Sequence, residues 1–132
     1  MLIVEVYRVS ESFYESVRSR LKKFKYRFWG RVFLRDSVLY VISLLDPLSL
    51  ALAYAVYKKA RERGFETAIY YALSLKNEEV EKLLPSEVKI LGDKIARGIK
   101  LSTRDYKNLP APYEIIKKIT NEKLKIMCKL EL

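Results

Sequence analysis

The stretch SVLYVISLLDPLSLALAYAVY, residues 37–57, carries one charged residue, Asp46, in 21 positions. Asp46 precedes Pro47, and an acidic N-cap followed by proline at the first helical position is a typical helix start. The pair therefore divides the stretch into two short buried helices. The first is capped by Asp36, and the second runs from Asp46 to Gly64. A single membrane span is the alternative, which a charge near its middle disfavours.

On either side of this stretch, the spacing of apolar residues predicts further helices, and it predicts a strand at each end of the chain. Residues 2–9 are rich in β-branched residues and alternate in polarity, which predicts a strand. Steps of three and four from Tyr14 to Phe28 predict a helix that stops at Gly30. Further helices are predicted at about 66–75, 77–84, 86–99 and 113–120, with a loop at 102–112 and a strand at 124–132.

The predicted fold class is therefore mainly α. We expect a compact helical bundle of about six or seven helices, with short N- and C-terminal β-strands whose simplest arrangement is to pair with each other. Residues 1–132 form a single domain in this interpretation, because the sequence contains no internal repeat, low-complexity segment or linker.

Composition limits the classes of function. The 132 residues carry a net charge of +10, which favours a polyanionic partner. Histidine is absent, which removes Ser-His and Cys-His nucleophile pairs and His-ligated metal sites. The only cysteine, Cys128, excludes an intramolecular disulfide and a multi-cysteine metal site. We expect a binding protein that uses no cofactor and no metal, and not an enzyme.

The residue content also indicates a source and a location. Glutamine is absent, asparagine, cysteine and methionine are scarce, and Lys, Arg and Glu are abundant. This depletion of thermolabile residues is typical of hyperthermophilic proteins. Residues 1–9 contain Glu5 and Arg8 and do not resemble a signal peptide, so we expect a cytoplasmic protein.

Positive charge is concentrated between residues 17 and 35, which contain eight Lys and Arg residues and no acid. Aromatic residues are interleaved with these cations. Cations displace counterions from phosphates, and exposed rings stack on bases, so a basic and aromatic helix here predicts nucleic-acid binding. A merely solvated helix face is the alternative. The candidate binding residues are Arg18, Arg20, Lys22, Lys23, Lys25, Tyr26, Arg27, Trp29, Arg31 and Arg35.

One short pattern points to an enzyme. Glu87-Val88-Lys89 matches the Glu-x-Lys half of a metal-dependent nuclease site. Such a site also needs another acid on a nearby strand, whereas this pattern lies at a predicted helix start. Metal-dependent cleavage that is lost in Glu87→Ala would distinguish this alternative.

The stretch RDSVLYVISLLDPLSLALAYA, residues 35–55, and the chain that follows it to Ile99 resemble the small helical subunit of archaeal type I-A CRISPR surveillance (Cascade) complexes. The resemblance also rests on size and basicity, and it covers about half of the chain. It implies a non-enzymatic subunit that is stacked in several copies along a guide-RNA complex. Its basic face would then hold target or displaced DNA.

The sequence therefore predicts a sequence-independent nucleic-acid-binding subunit of a larger ribonucleoprotein assembly. Its expected partners are single- or double-stranded nucleic acid, held by the phosphate backbone, and other protein subunits or further copies of itself. The alternative is a structural protein of an archaeal virus. Such a protein would coat DNA, and it would also self-assemble when no nucleic acid is present.

Overall fold

The computed structural model describes residues 2–23, 28–44, 46–71, 75–76, 78–107 and 109. These residues form a five-stranded sheet and five helices. The elements in chain order are β1 (Leu2–Tyr7), α1 (Glu11–Lys22), β2 (Gly30–Arg35), β3 (Val38–Ser43), α2 (Pro47–Glu62), β4 (Thr67–Tyr71), β5 (Leu75–Lys76), α3 (Glu78–Leu83), α4 (Ser86–Ala96) and α5 (Thr103–Lys107).

The strand order in the sheet is β2-β3-β1-β4-β5, and every neighbouring pair is antiparallel. The chain passes through β1, α1, β2, β3, α2 and β4 in that order. Each of the two helical connections joins strands that are separated in the sheet by one other strand. This is the split β-α-β topology of ferredoxin-like folds, here extended by β5 at one edge.

The predicted mainly α bundle is therefore wrong, because two of its helices are strands. Residues 38–43 form β3 where a helix was expected from Asp36, and residues 67–71 form β4 where a helix was expected over 66–75. Their sequences, VLYVIS and TAIYY, are rich in β-branched and aromatic residues. Side chains along β3 alternate between half-buried and buried, as expected of a strand with one face in the core.

A tight turn at Asp36 and Ser37 creates the strand pair β2–β3. Arg35 pairs with Val38, so the loop contains only these two residues. Both have positive φ, 51° and 62°, which is the requirement of a type I′ hairpin turn. Because this turn closes a hairpin, Asp36 is a turn residue and does not cap a helix.

Three of the predicted helices are confirmed, namely α2, α3 and α4. At the start of α2, the Asp46 carboxylate accepts a hydrogen bond from the Ser49 backbone N–H at 3.1 Å. The predicted N-terminal strand is also confirmed as β1. The helix expected to stop at Gly30 ends instead at Lys22, and residues 103–107 of the predicted loop form the short helix α5.

The predicted pairing of the two terminal strands is wrong for the N-terminal strand. Both edges of β1 are occupied, one by β3 and the other by β4, so no further strand can pair with it. The helix predicted at 113–120 and the strand predicted at 124–132 lie outside the described residues.

Helix α2 lies at the centre of the core, and its residues from Pro47 to Tyr57 are all buried. It packs against β1, β3 and β4 on one side and against α4 on the other. The close approach of α4 requires Gly92, because a Cβ there would lie 2.8 Å from the Tyr54 ring and 2.9 Å from the Ala51 carbonyl oxygen. In the part of the chain that the structure describes, no helix has the length and apolarity of a membrane span.

We predict that Ser37→Gly stabilises the protein. Positive φ is costly for a residue with a Cβ and nearly free for glycine, so the free energy of unfolding should rise by about 0.5–1 kcal/mol. Urea denaturation measures this change. Ser37→Ala is the control, since it keeps the Cβ. Equal stabilities of the two variants would contradict the turn geometry.

Candidate nucleic-acid interface

One face of the sheet lies outside the main hydrophobic core. Along β1, β3 and β4, only side chains on one face of the sheet belong to the core cluster. These are Leu2, Val4, Val6, Leu39, Val41 and Ile69. Alternation places the intervening residues on the opposite face. We call this opposite face the open sheet face; its residues are Ile3, Glu5, Tyr7, Arg31, Phe33, Arg35, Val38, Tyr40, Ile42, Ala68 and Tyr70. Apart from Ile3, they are half-buried or exposed.

Strand β2 contributes a row of alternating basic and aromatic side chains to this face. Arg31, Phe33 and Arg35 occur at every second position, so they lie on the same side of the strand. The row extends back to Trp29, whose carbonyl continues the ladder by accepting the Leu44 backbone N–H at 2.8 Å. Trp29 is 61 % exposed. The segment thus presents two guanidinium groups and two aromatic rings in one line.

The aromatic part of the row continues onto β3. Phe33 is directly opposite Tyr40 in the antiparallel register. The two rings stack, with centroids 5.0 Å apart and planes inclined by 19°. Facing aromatic pairs stabilise neighbouring strands, and here the pair also forms an apolar platform in line with the arginines.

A carboxylate lies near the middle of the open sheet face. Glu5 on β1 is the register partner of Tyr40 and accepts a hydrogen bond from the Tyr7 hydroxyl. That hydrogen bond, together with burial and the neighbouring Tyr70, raises the pKa of the Tyr7 hydroxyl. The same hydrogen bond holds the Glu5 side chain in place. The face is cationic along β2 and anionic at its centre.

The start of the β2 row is fixed by the core. The Trp29 backbone N–H donates to the Ser49 hydroxyl at 2.7 Å, and Ser49 is fully buried in the first turn of α2. Gly30 follows, and a Cβ at that position would collide with the Ile42 carbonyl oxygen. The absence of a side chain at Gly30 therefore allows the two strands to approach closely beside the exposed Trp29 ring.

A second group of cations lies in the helical layer. Arg18, Lys22 and Lys23 are exposed on or just after α1. Arg20 is half-buried, and its guanidinium donates to the Ile95 carbonyl oxygen at 3.2 Å. Lys59 donates to the next carbonyl, that of Ala96, at 3.3 Å. Because these carbonyls end α4, Arg20 and Lys59 stabilise a helix C-terminus and are only partly available to a ligand.

The predicted basic helix ends at Lys22 and does not reach Gly30, and the structure places the described candidate residues on two separate segments. Arg18, Arg20, Lys22 and Lys23 belong to the helical layer, whereas Trp29, Arg31 and Arg35 belong to the β2 row. Lys25, Tyr26 and Arg27 lie outside the described residues. Sequence reasoning did not include Tyr7, Phe33, Tyr40 or Tyr70 in the site. The sequence signal for the row is the W-x-R-x-F-x-R alternation of residues 29–35, which is typical of a strand.

The Glu87-Val88-Lys89 pattern lies in the first turn of α4. Glu87 is exposed in the first turn of α4, and the Lys89 ammonium donates to the Glu81 carbonyl oxygen at 2.9 Å. Among the described residues, no group of three or more His, Cys, Asp or Glu side chains is arranged to hold a metal ion.

Comparison with known proteins finds no family model, curated protein or solved structure that matches the chain. The resemblance to the Cascade small subunit therefore rests on residues 35–55 and the chain that follows. Within that stretch, the first of the two expected helices is strand β3.

We predict that Arg20 has a structural role that Arg18 lacks. Arg20→Met keeps the apolar stem but removes the hydrogen bond to Ile95, and it should lower the free energy of unfolding by about 1 kcal/mol. Arg18→Met is the matched control on the same helix, and its effect should stay within about 0.5 kcal/mol. Urea denaturation compares the two variants, and equal losses would contradict the capping role of Arg20.

Proposed function

We propose that this protein is a non-enzymatic nucleic-acid-binding subunit that holds its ligand without reading base sequence. One observation carries the proposal, namely that the β2 row aligns Arg31, Phe33 and Arg35 on the open sheet face, with the exposed Trp29 at its start. Arginine binds phosphate through a planar fork of donors, and aromatic rings stack on any base. Neither interaction depends on which base is present.

The arginines of the row are available to a ligand. Arg31 is exposed and forms no ion pair with any other described residue. Arg35 has one acidic neighbour, Asp36, at 4.0 Å, and both side chains are largely exposed to water, at 79 % and 94 %. An exposed pair of this kind contributes little free energy, so a phosphate can replace Asp36 at small cost.

The exposed cations of α1 have a supporting role in this proposal. Arg18, Lys22 and Lys23 lie on or just after α1, whereas the arginines of the row lie on β2. They add to the net charge of +10, which attracts a polyanion over a long range and speeds its association. Direct phosphate contact by this group is secondary, because the aromatic side chains of α1, Phe13 and Tyr14, belong to the core cluster or pack against it.

We also propose that the protein assembles with other subunits or with further copies of itself. The proposed location is the cytoplasm, and the proposed assembly is an antiviral complex of the CRISPR type. Strand β2 is an edge strand, paired within the described residues only to β3. Leu34, Ile90 and Ile99 are 40 %, 58 % and 46 % exposed. An open strand edge and exposed aliphatic side chains are features that protein partners cover.

The test is a fluorescence-anisotropy titration of nucleic acid at several salt concentrations. For a single-stranded oligonucleotide, we predict binding that ignores base sequence and weakens with salt by about 0.7 log units per phosphate contact for each log unit of salt. Replacing Arg31 and Arg35 by Glu should remove two contacts and lower the slope by about 1.4. The cause is the loss of two counterion-releasing contacts in the β2 row.

The matched control is the double substitution of Arg18 and Lys22 by Glu, which makes the same change in net charge on α1. It should weaken binding through general repulsion and leave most of the salt slope in place. Circular dichroism checks that both variants are folded. Absence of binding by the unaltered protein at low salt, or an equal loss of slope in both variants, would contradict the proposed role of the row.

A further inference from the structure

We infer that the open sheet face takes single-stranded nucleic acid, with unpaired bases stacked on Phe33, Tyr40 and Trp29. This inference rests on the proposed function and specifies its ligand. It depends on three features of the face: the accessibility of its rings, the breadth of the sheet and the placement of its charges.

The rings require bases whose flat surfaces are accessible. In the stacked pair, Phe33 and Tyr40 each use one ring face for the other, which leaves one further face per ring. Apart from this pair, the described residues place no ring or cation against either side chain. In a duplex, each base is covered above and below by its neighbours. Only a single strand or a splayed loop can offer a base to these rings.

The sheet is also too broad to enter the groove of a duplex, so its rings cannot reach bases there. Five strands, at about 4.8 Å between neighbours, extend over roughly 19 Å. The major groove of DNA is about 12 Å wide and admits a helix or a two-stranded ribbon. A five-stranded face can touch a duplex only at its outer phosphates, where Phe33 and Tyr40 would have no stacking partner.

The charges determine the path of the strand. Arg31 and Arg35 lie on either side of Phe33 in the β2 row, about 13 Å apart along the strand at 3.3 Å per residue. They can contact phosphates on both sides of a nucleotide stacked at Phe33. Glu5, held by Tyr7, repels phosphate from the centre of the sheet. The backbone is therefore directed along β2, with the bases turned inward toward Tyr40.

The experiment uses the intrinsic fluorescence of Trp29, the only tryptophan of the chain. The protein is titrated at fixed salt with an oligothymidine of about ten nucleotides, a duplex of equal length and inorganic polyphosphate. We expect the single strand to quench Trp29 and to bind at least about tenfold more tightly than the duplex. Polyphosphate should bind through charge without the same quenching.

Ring variants separate stacking from charge. Phe33→Leu and Tyr40→Leu should each weaken single-strand binding by about tenfold and leave the affinity for polyphosphate unchanged. Tyr40→Phe is the matched control, because it keeps the ring and should keep the affinity. Neither ring belongs to the main core cluster, and thermal melting of each variant verifies that it is folded.

Each contrary outcome has a distinct meaning. Equal affinity for single strand and duplex without Trp29 quenching would leave charge-based binding in place and overturn the stacking inference. Absence of binding to all three polyanions would overturn both the inference and the proposed function. A stable dimer in sedimentation that Phe33→Leu dissociates would show that a second copy occupies the face, and would overturn the inference.

Discussion

The burial of α2 is the constraint on which the rest of the structure depends. A helix that is apolar nearly all round must be covered on every side. The sheet covers one side through β1, β3 and β4, and α4 covers another, with Gly92 allowing the backbones to approach closely. Since the main core includes strand side chains from one face of the sheet only, the opposite face can carry polar and aromatic groups.

The β2–β3 hairpin contributes the candidate binding residues to that face. Its two-residue turn sets the register that places Phe33 beside Tyr40, and the period of two along β2 places Arg31 and Arg35 on the same face. The hydrogen bond from Trp29 to the buried Ser49 connects the exposed end of the row to the first turn of α2. The proposed site is thus built mainly on the paired strands β2 and β3, whose backbone is already ordered, which reduces the entropy lost when a ligand binds.

Sequence reasoning identified the helices that have clear start signals and failed where short apolar runs fit either period. Asp46-Pro47 located α2 correctly, because an N-cap and a proline act locally. Residues 38–43 fit a helical stripe as well as a strand, and the turn at Asp36 and Ser37 lacks the glycine that usually marks a hairpin. Three of the ten candidate residues lie in the β2 row, but its aromatic partner Tyr40 depended on strand pairing that the sequence pattern did not reveal.

The central claim is that nucleic acid lies on the open sheet face, along β2. Ultraviolet cross-linking of the protein to a single-stranded oligonucleotide, followed by peptide mass spectrometry, locates the contact directly. We predict adducts on Trp29, Phe33 and Tyr40, the rings on which bases would stack. Adducts confined to α1, between Glu11 and Lys22, with none on the β2–β3 hairpin, would contradict this account.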